Sequence, residues 1–337
     1  MKRMFISIVV GLALLLGLMP AAVTFAAETG SSAGSFSVGG VAPQVSTLQV
    51  YSDAGCTLEA AALTPQVVYY IKATISDANT LNDEKEVKIK LFYDVGAAHP
   101  DESTIAAGSE QTAAIFTWTK AGNVWAVDAG SGTSWAVVSA SCVTPTMTTS
   151  SGDWIFAIKV GKTATESLAP NVWDLHIRAT DSGNLTGGYY LWGKTVLWYG
   201  EVQVNTANIS FGSVALGSGF AADVNKVTGV SLKYIANGDY ATMRKSSATW
   251  TGTSNIATLD PNGNCVNAKE FAIMTFTSDI YGSAVKLDSV GLVVRNTGTQ
   301  TLETGYVNNG ATFWLKIATV FPVDVYSGTI TFMIVNR

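Results

Sequence analysis

Hydrophobic and polar residues alternate in short runs along most of this chain. In the run VKIKLFYD, which begins at Val87, the first, third and fifth residues are apolar and the second and fourth are lysines. The same period of two recurs in QVVYYIKATISD, VWDLHIRATD, TFWLKIATV and TITFMIV. Such alternation places successive side chains on opposite faces of a β-strand. Because Gly, Asn, Ser and Asp separate the runs at short spacing, the pattern predicts an all-β fold built from antiparallel β-sandwiches.

The runs form two groups, which predict two sandwich domains in tandem. We place the first domain at residues 43–204 and the second at residues 205–337. No internal repeat marks the halves as copies. The run Thr329–Val335 is expected to be the closing strand of the second sandwich; the alternative is a strand shared with a neighbouring subunit.

The N-terminal residues have the pattern of an export signal. Lys2 and Arg3 precede an apolar run from Met4 to Leu18, and the small-residue stretch AAVTFAA follows Pro20. These features predict a cleaved signal peptide over residues 1–26. An uncleaved membrane anchor is the alternative, and it is the only membrane contact that the sequence suggests. Residues 27–42 are rich in Gly and Ser and predict a flexible linker.

The chain has few charged residues and is weakly acidic. Charged residues make up 13% of the chain, and the formal net charge is −5. No basic block is present that could follow a phosphate backbone, so nucleic acid is not an expected partner. An exported chain of this composition is expected outside the cell or at the cell surface.

Two stretches of the first half carry a resemblance to a known class of module. LTPQVVYYIKATISDANTLND, from Leu63, and WDLHIRATDSGN, from Trp173, resemble the immunoglobulin-like modules of bacterial and archaeal surface proteins. The second half, with ISFGSVALGS near its start and YSGTITFMI near its end, is similar to C-terminal sandwich domains of secreted wall and surface proteins. The resemblance implies two immunoglobulin-like antiparallel β-sandwich domains in tandem, after a signal peptide and a linker.

Three cysteines and two glycosylation triplets fit an exported chain. Cys56 and Cys142 lie in the same half, so they are the pair expected to form a disulfide, with Cys265 left over. Three free thiols are the alternative. Asn184 and Asn208 begin the triplets NLT and NIS and are acceptors where the host glycosylates.

Residues suited to catalysis are few. The two histidines are His99, in a loop, and His176, in a strand, and neither lies in a nucleophile motif. His176 is expected to be a solvated strand histidine. We therefore expect no enzymatic activity and no required cofactor.

Two loops offer oxygen ligands for calcium. The stretch DANTLNDE (Asp77–Glu84) and the stretch DPNGN (Asp260–Asn264) both concentrate carboxylate and amide oxygens. Neither matches the EF-hand pattern, and ordinary Asn/Asp turns are the alternative explanation.

Aromatic residues are abundant, with nine tryptophans and twelve tyrosines. Two sandwich cores account for many of them. In the run YYLWGKTVLWYG, however, Tyr190 and Trp192 share one face and are candidates for stacking against a glycan.

Together these features predict a secreted cell-surface protein with a structural or adhesive role, such as an envelope, S-layer-like or filament-type component. It would act through contacts with other envelope proteins or with copies of itself. The alternative is a carbohydrate-binding module that uses exposed aromatic residues, with a polysaccharide as partner.

Overall fold

Strands dominate the computed structural model, which describes residues 39–104, 107–221 and 223–337. Within these residues, the helical segments are short 3-10 turns at Leu81–Asp83, Val95–Ala97, Glu102–Thr104, Ala129–Ser131, Ser139–Ser141 and Tyr281–Ser283. Residues Gly40–Arg337 form one compact unit. The predicted signal peptide and the linker up to residue 38 lie outside the described residues.

Among the described residues, ten strands build the first sandwich. They are β1 (Gln44–Tyr51), β2 (Ala62–Leu63), β3 (Val68–Ser76), β4 (Glu84–Asp94), β5 (Ala113–Thr119), β6 (Val124–Val127), β7 (Ala136–Val137), β8 (Ser151–Lys159), β9 (Val172–Asp181) and β10 (Thr186–Val196). One sheet has the order β1-β3-β8-β7, and the other has the order β2-β10-β9-β4-β5-β6. Neighbouring strands are antiparallel, except that β2 runs parallel to β10.

The second sandwich has two sheets that differ in size, with seven strands in one and three in the other among the described residues. Its strands are β11 (Gly200–Val204), β12 (Lys226–Ala236), β13 (Tyr240–Ser246), β14 (Thr249–Thr251), β15 (Ile256–Leu259), β16 (Glu270–Phe276), β17 (Val285–Lys286), β18 (Leu292–Gly298), β19 (Tyr306–Ile317) and β20 (Ile330–Asn336). The larger sheet has the order β11-β12-β19-β16-β15-β14, with β17 added on β16, and the smaller sheet has the order β18-β13-β20. The predicted all-β fold with tandem sandwiches is confirmed.

Each sandwich has its own hydrophobic core. Val87, Ile89 and Leu91 of β4 are fully buried in the first core, as their alternation predicts. In the second core, Phe313 and Ile317 of β19 face inward. Five of the nine tryptophans are buried; Trp118, Trp135, Trp154 and Trp173 lie in the first core, and Trp314 is buried outside both cores.

The chain passes from one sandwich to the other within residues 197–199, between β10 and β11. Strand β11 pairs with β12, and Val202 packs against the second core. This pairing assigns residues 200–204 to the second sandwich, whereas the predicted boundary lay after residue 204. The run GGYYLWGKTVLWYGEVQV has no Pro or polar break, so its pattern gave no sign of where one sheet ends.

No helix among the described residues is both long enough and apolar enough to cross a membrane.

Candidate functional site

Four aromatic rings form a stack on the outer face of the six-stranded sheet. The register of β9 and β10 places Tyr190 opposite His176, and Trp192 follows two residues later on the same face. The ring centroids of His176 and Tyr190 lie 4.3 Å apart, and those of Tyr190 and Trp192 lie 4.5 Å apart. His99, from the loop after β4, lies 4.7 Å from Trp192. The expected solvated His176 is instead largely buried, and burial lowers its pKa.

This stack bears on the predicted glycan-stacking pair. Tyr190 and Trp192 share the outer face, as their alternation indicates, and Trp192 is 39% exposed. A sugar stacks on an open ring face. Tyr190 already contacts a ring on either side along the stack, and Trp192 contacts two rings as well. Glycan binding by this pair stays a prediction, and the geometry of the stack does not favour it.

His99 has acidic partners that the sequence did not indicate. Its Nδ1 lies 2.9 Å from Asp174 Oδ2 and 3.3 Å from Asp94 Oδ2. Both aspartates are buried; Asp94 is the last residue of β4, and Asp174 lies near the start of β9. The hydrogen bond to Asp174 raises the pKa of His99, whereas burial raises the pKa of Asp174. Because backbone N–H groups of Gly193 and Ala98 donate to these carboxylates as well, the arrangement fixes the ends of three neighbouring strands.

The three cysteines are free thiols in the structure. Cys142 Sγ accepts a hydrogen bond from the backbone N–H of Ala157 at 3.3 Å. Cys56 lies in the turn after β1 with a φ of 52°, and burial raises the pKa of its thiol. The structure therefore does not contain the predicted Cys56–Cys142 bridge, since each thiol has its own surroundings. Cys265 is buried, and burial raises its pKa to about 11.

Both predicted glycosylation acceptors are exposed. Asn184 occupies the turn after β9 with a φ of 67°, and Lys85 Nζ donates to its side-chain oxygen. Asn208 lies in the coil after β11. Their use for glycosylation stays a prediction.

The two candidate calcium loops differ. In the DPNGN loop, Asp260 accepts hydrogen bonds from the backbone N–H groups of Asn262, Asn264 and Cys265. Both of its carboxylate oxygens have donors, so this loop is a turn held by its own aspartate. The Asp77–Glu84 loop instead brings its carboxylates beside Asp181, at the end of β9.

Polar side chains join the two sandwiches, and sequence reasoning missed them. Glu303, from the turn after β18, reaches residues Thr133 and Ser134 of the first sandwich. Its Oε2 accepts from the backbone N–H and the hydroxyl of Thr133, both at 2.7 Å. Its Oε1 accepts from the backbone N–H of Ser134 at 2.8 Å and from the Ser134 hydroxyl. Burial opposes ionisation of Glu303, but these donors outweigh it and hold the pKa below its ordinary value.

Asn237 supplies a second, fully buried junction. Its Nδ2 donates to the carbonyl oxygens of Ala164 and Leu197, at 2.8 and 2.9 Å. The side-chain Oδ1 accepts from the backbone N–H of Tyr199 at 2.6 Å. The main-chain carbonyl oxygen of Asn237 accepts from the backbone N–H of Glu166 at 3.0 Å. A single side chain thus connects the first sandwich, the three-residue connection and the second sandwich.

Two glutamines complete the contact. Gln300 Nε2 donates to the carbonyl of Thr163 and to the hydroxyl of Thr165, and Gln111 Nε2 donates to the carbonyl of Thr301. The partners in these pairs are more than 130 residues apart in the chain. No local pattern in the sequence could have indicated them.

The loop between β19 and β20, residues 318–329, combines exposed apolar side chains with a fixed backbone. Val320, Val323 and Val325 are 64%, 101% and 84% exposed. Asp324 accepts hydrogen bonds from the backbone N–H groups of residues 253–255, which hold its pKa well below the usual range. The three valines therefore face solvent from a loop that is held by hydrogen bonds to residues 253–255.

No protein-family model matches the chain, and no curated protein matches it either. Among solved structures, the chain is similar to the major pilin subunit BcpA of Bacillus cereus, with 11% identity and a TM-score of 0.23, over 82% of this chain and 56% of that one. A variant of the same subunit gives 9% identity and a TM-score of 0.24, over 85% of this chain and 66% of that one. The 35 kDa C-terminal fragment of the major pilin GBS80 of Streptococcus agalactiae gives 11% identity and a TM-score of 0.25, over 85% and 90%. The chain thus spans between half and two thirds of the length of the first two subunits.

Proposed function

We propose that this chain is a non-catalytic structural protein of the cell surface, a rigid tandem of sandwiches that takes part in an envelope layer or filament. The observation that supports the proposal most is the polar contact between the sandwiches. Two domains in one chain move relative to each other by default, unless a large or well-bonded interface prevents it. Here a connection of residues 197–199 and the buried Asn237 fix both domains to one another.

A rigid tandem suits a protein that transmits load or sets a repeat distance. A flexible pair of modules would extend and bend under tension before passing it on. Both side chains come from the second sandwich and restrain rotation by holding the first. Glu303 accepts from Thr133 and Ser134, and Asn237 donates to the carbonyl of Ala164. The hydrogen bonds to the Glu303 carboxylate are charge-assisted, and such bonds are stronger than those between neutral groups.

Contacts with neighbours are assigned in this proposal to the loop of residues 318–329. Exposed valines on a fixed loop lose little conformational entropy when a partner covers them. The partners are neighbouring surface proteins, copies of this chain included.

The test is cross-linking on native cells. A variant with Val320, Val323 and Val325 changed to Ser is expected to lose high-mass cross-linked species while keeping its fold. The matched control changes three exposed valines of the first sandwich, Val95, Val124 and Val143, to Ser. Equal cross-linking of both variants would remove the loop from the proposal, and an absence of cross-linked species in the unaltered protein would contradict the structural role.

A further inference from the structure

Four carboxylates meet at one end of the first sandwich. Asp77 follows β3 of the four-stranded sheet, whereas Glu84 begins β4 and Asp181 ends β9, in the six-stranded sheet. Glu84 and Asp181 are direct cross-strand partners. Carboxylate oxygens of Asp77, Asp83 and Asp181 all lie within 4.8 Å of one another. The strand register and the turn at Leu81–Asp83 therefore bring acidic groups from both sheets together.

Hydrogen bonds hold one oxygen of each flanking aspartate and leave the other without a donor. The backbone N–H of Asn79 donates to Asp77 Oδ1 at 2.6 Å, and that of Leu185 donates to Asp181 Oδ1 at 2.7 Å. Asp77 Oδ2 and Asp181 Oδ2 are buried without a partner among the described residues, as are both oxygens of Glu84. Glu84 and Asp181 are 0% exposed, and Asp77 is 2% exposed.

Buried carboxylate oxygens without donors are costly, and so is the repulsion among them. No lysine, arginine or histidine in the described ranges forms an ion pair with any of the four carboxylates. A bound cation would satisfy the free oxygens and offset the carboxylate charge.

We propose that Asp77, Asp83, Glu84 and Asp181 bind one calcium ion. The donors are all carboxylate oxygens, which hard cations prefer. Calcium accepts six to eight oxygens in irregular arrangements and binds carboxylates through one or both oxygens, whereas magnesium demands a near-ideal octahedron and keeps several waters. Asp83 and Glu84 are adjacent in the chain, and Asp77 after β3 and Asp181 at the end of β9 complete the set. This irregular set of ligands suits calcium, which is larger than magnesium and tolerates more varied geometry.

The ion would join the two sheets of the first sandwich. Asp77 follows β3 of the four-stranded sheet and Asp181 ends β9 of the six-stranded sheet, so a shared ion would link strands of the two sheets. Binding to the folded state alone stabilises it by mass action. This role is separate from assembly, so it stands or falls independently of the proposed surface function.

The test compares thermal unfolding of the full exported chain in EDTA and in 1 mM CaCl2, with isothermal titration of CaCl2 into chelator-treated protein. We expect one calcium per chain and a rise in Tm of about 5–10 °C, the shift expected for a ligand at about 100 times its Kd on a domain of this size. The same concentration of MgCl2 is expected to give a much smaller shift. No shift with calcium, or an equal shift with magnesium, would overturn the proposal.

Variants locate the ion. Glu84→Gln keeps the shape of the side chain, removes one charge and is expected to weaken calcium binding by about 100-fold or more. Asp83→Asn, at a less buried ligand, is the second variant in case the first does not fold, and it is expected to weaken binding by about 10-fold or more. Asp279→Asn, an exposed aspartate of the second sandwich, is the matched control and should bind calcium as the unaltered chain does. Unchanged affinity in both Glu84→Gln and Asp83→Asn would place the ion elsewhere and refute the assignment.

Discussion

Removing the charge of Glu303 should weaken the junction between the sandwiches. In Glu303→Gln, the side chain keeps its length but has one oxygen in place of two, and its NH2 group faces donors. In the unaltered chain, the carboxylate accepts four hydrogen bonds, from the backbone N–H and the hydroxyl of Thr133 and from those of Ser134. At least two of these four hydrogen bonds are lost, because an amide nitrogen cannot accept them.

The size of the effect follows from the kind of hydrogen bond. A hydrogen bond to a charged group contributes about 1.5–3 kcal/mol where it is shielded from water, and the values are not additive. Since Glu303 is partly exposed, we expect a loss of about 2–4 kcal/mol in the free energy of unfolding, and a fall in Tm of about 5–10 °C.

The pH dependence gives the prediction a second readout. The folded pKa of Glu303 lies below its ordinary value of 4.5, so its contribution is present above pH 4.5 and is lost as pH falls through the folded pKa. In calorimetry, the Tm difference between the unaltered chain and Glu303→Gln should therefore be constant above about pH 5 and shrink in more acidic buffer. Glu59→Gln, at an exposed glutamate, is the control. If both variants show the same Tm and no pH-dependent difference, the carboxylate does not hold the sandwiches together.

Three further predictions test other parts of the structure. Trp154→Ala should cost about 3–5 kcal/mol in guanidinium unfolding, because Trp154 is fully buried against Trp118; a cost below about 1 kcal/mol would mean that the core differs from the one described. Asp174→Asn should lower the pKa of His99 in an NMR titration. In the unaltered chain, this raised pKa contributes stability that is present below pH 6.5 and is lost as pH rises through the folded pKa, and the variant should lose that contribution. An unchanged titration would exclude the contact. Cys265 should react with iodoacetamide only after unfolding, since it is buried with a pKa of about 11; rapid labelling of the native protein, mapped by mass spectrometry, would contradict this.

The sequence indicated the parts of the fold that depend on local alternation. Strand β4 was predictable because Val87, Ile89 and Leu91 repeat every second residue and one face is buried. The short strands β14 and β15 were not predicted, because runs of three and four residues carry too little period to identify. The boundary between the sandwiches was placed late for a related reason, since β10 and β11 are strands of similar character separated by residues 197–199.

The sites depended on pairings between distant residues, which a single sequence does not reveal. The Asp77–Glu84 loop was recognised as rich in oxygen ligands, but Asp181 joins it only through the register of β4 and β9. The face shared by Tyr190 and Trp192 was predictable from alternation. Their stacking with His99 was not, because that ring comes from a loop after β4.

Cryo-electron tomography of the native cell envelope, with averaging of the repeating density and antibody labelling of this chain, tests the central claim most directly. We expect labelled, ordered assemblies whose repeating unit fits the two sandwiches in the fixed arrangement that Glu303 and Asn237 hold. Finding the chain only as separate molecules in the culture fluid, or finding its two sandwiches at variable angles within an assembly, would contradict the account.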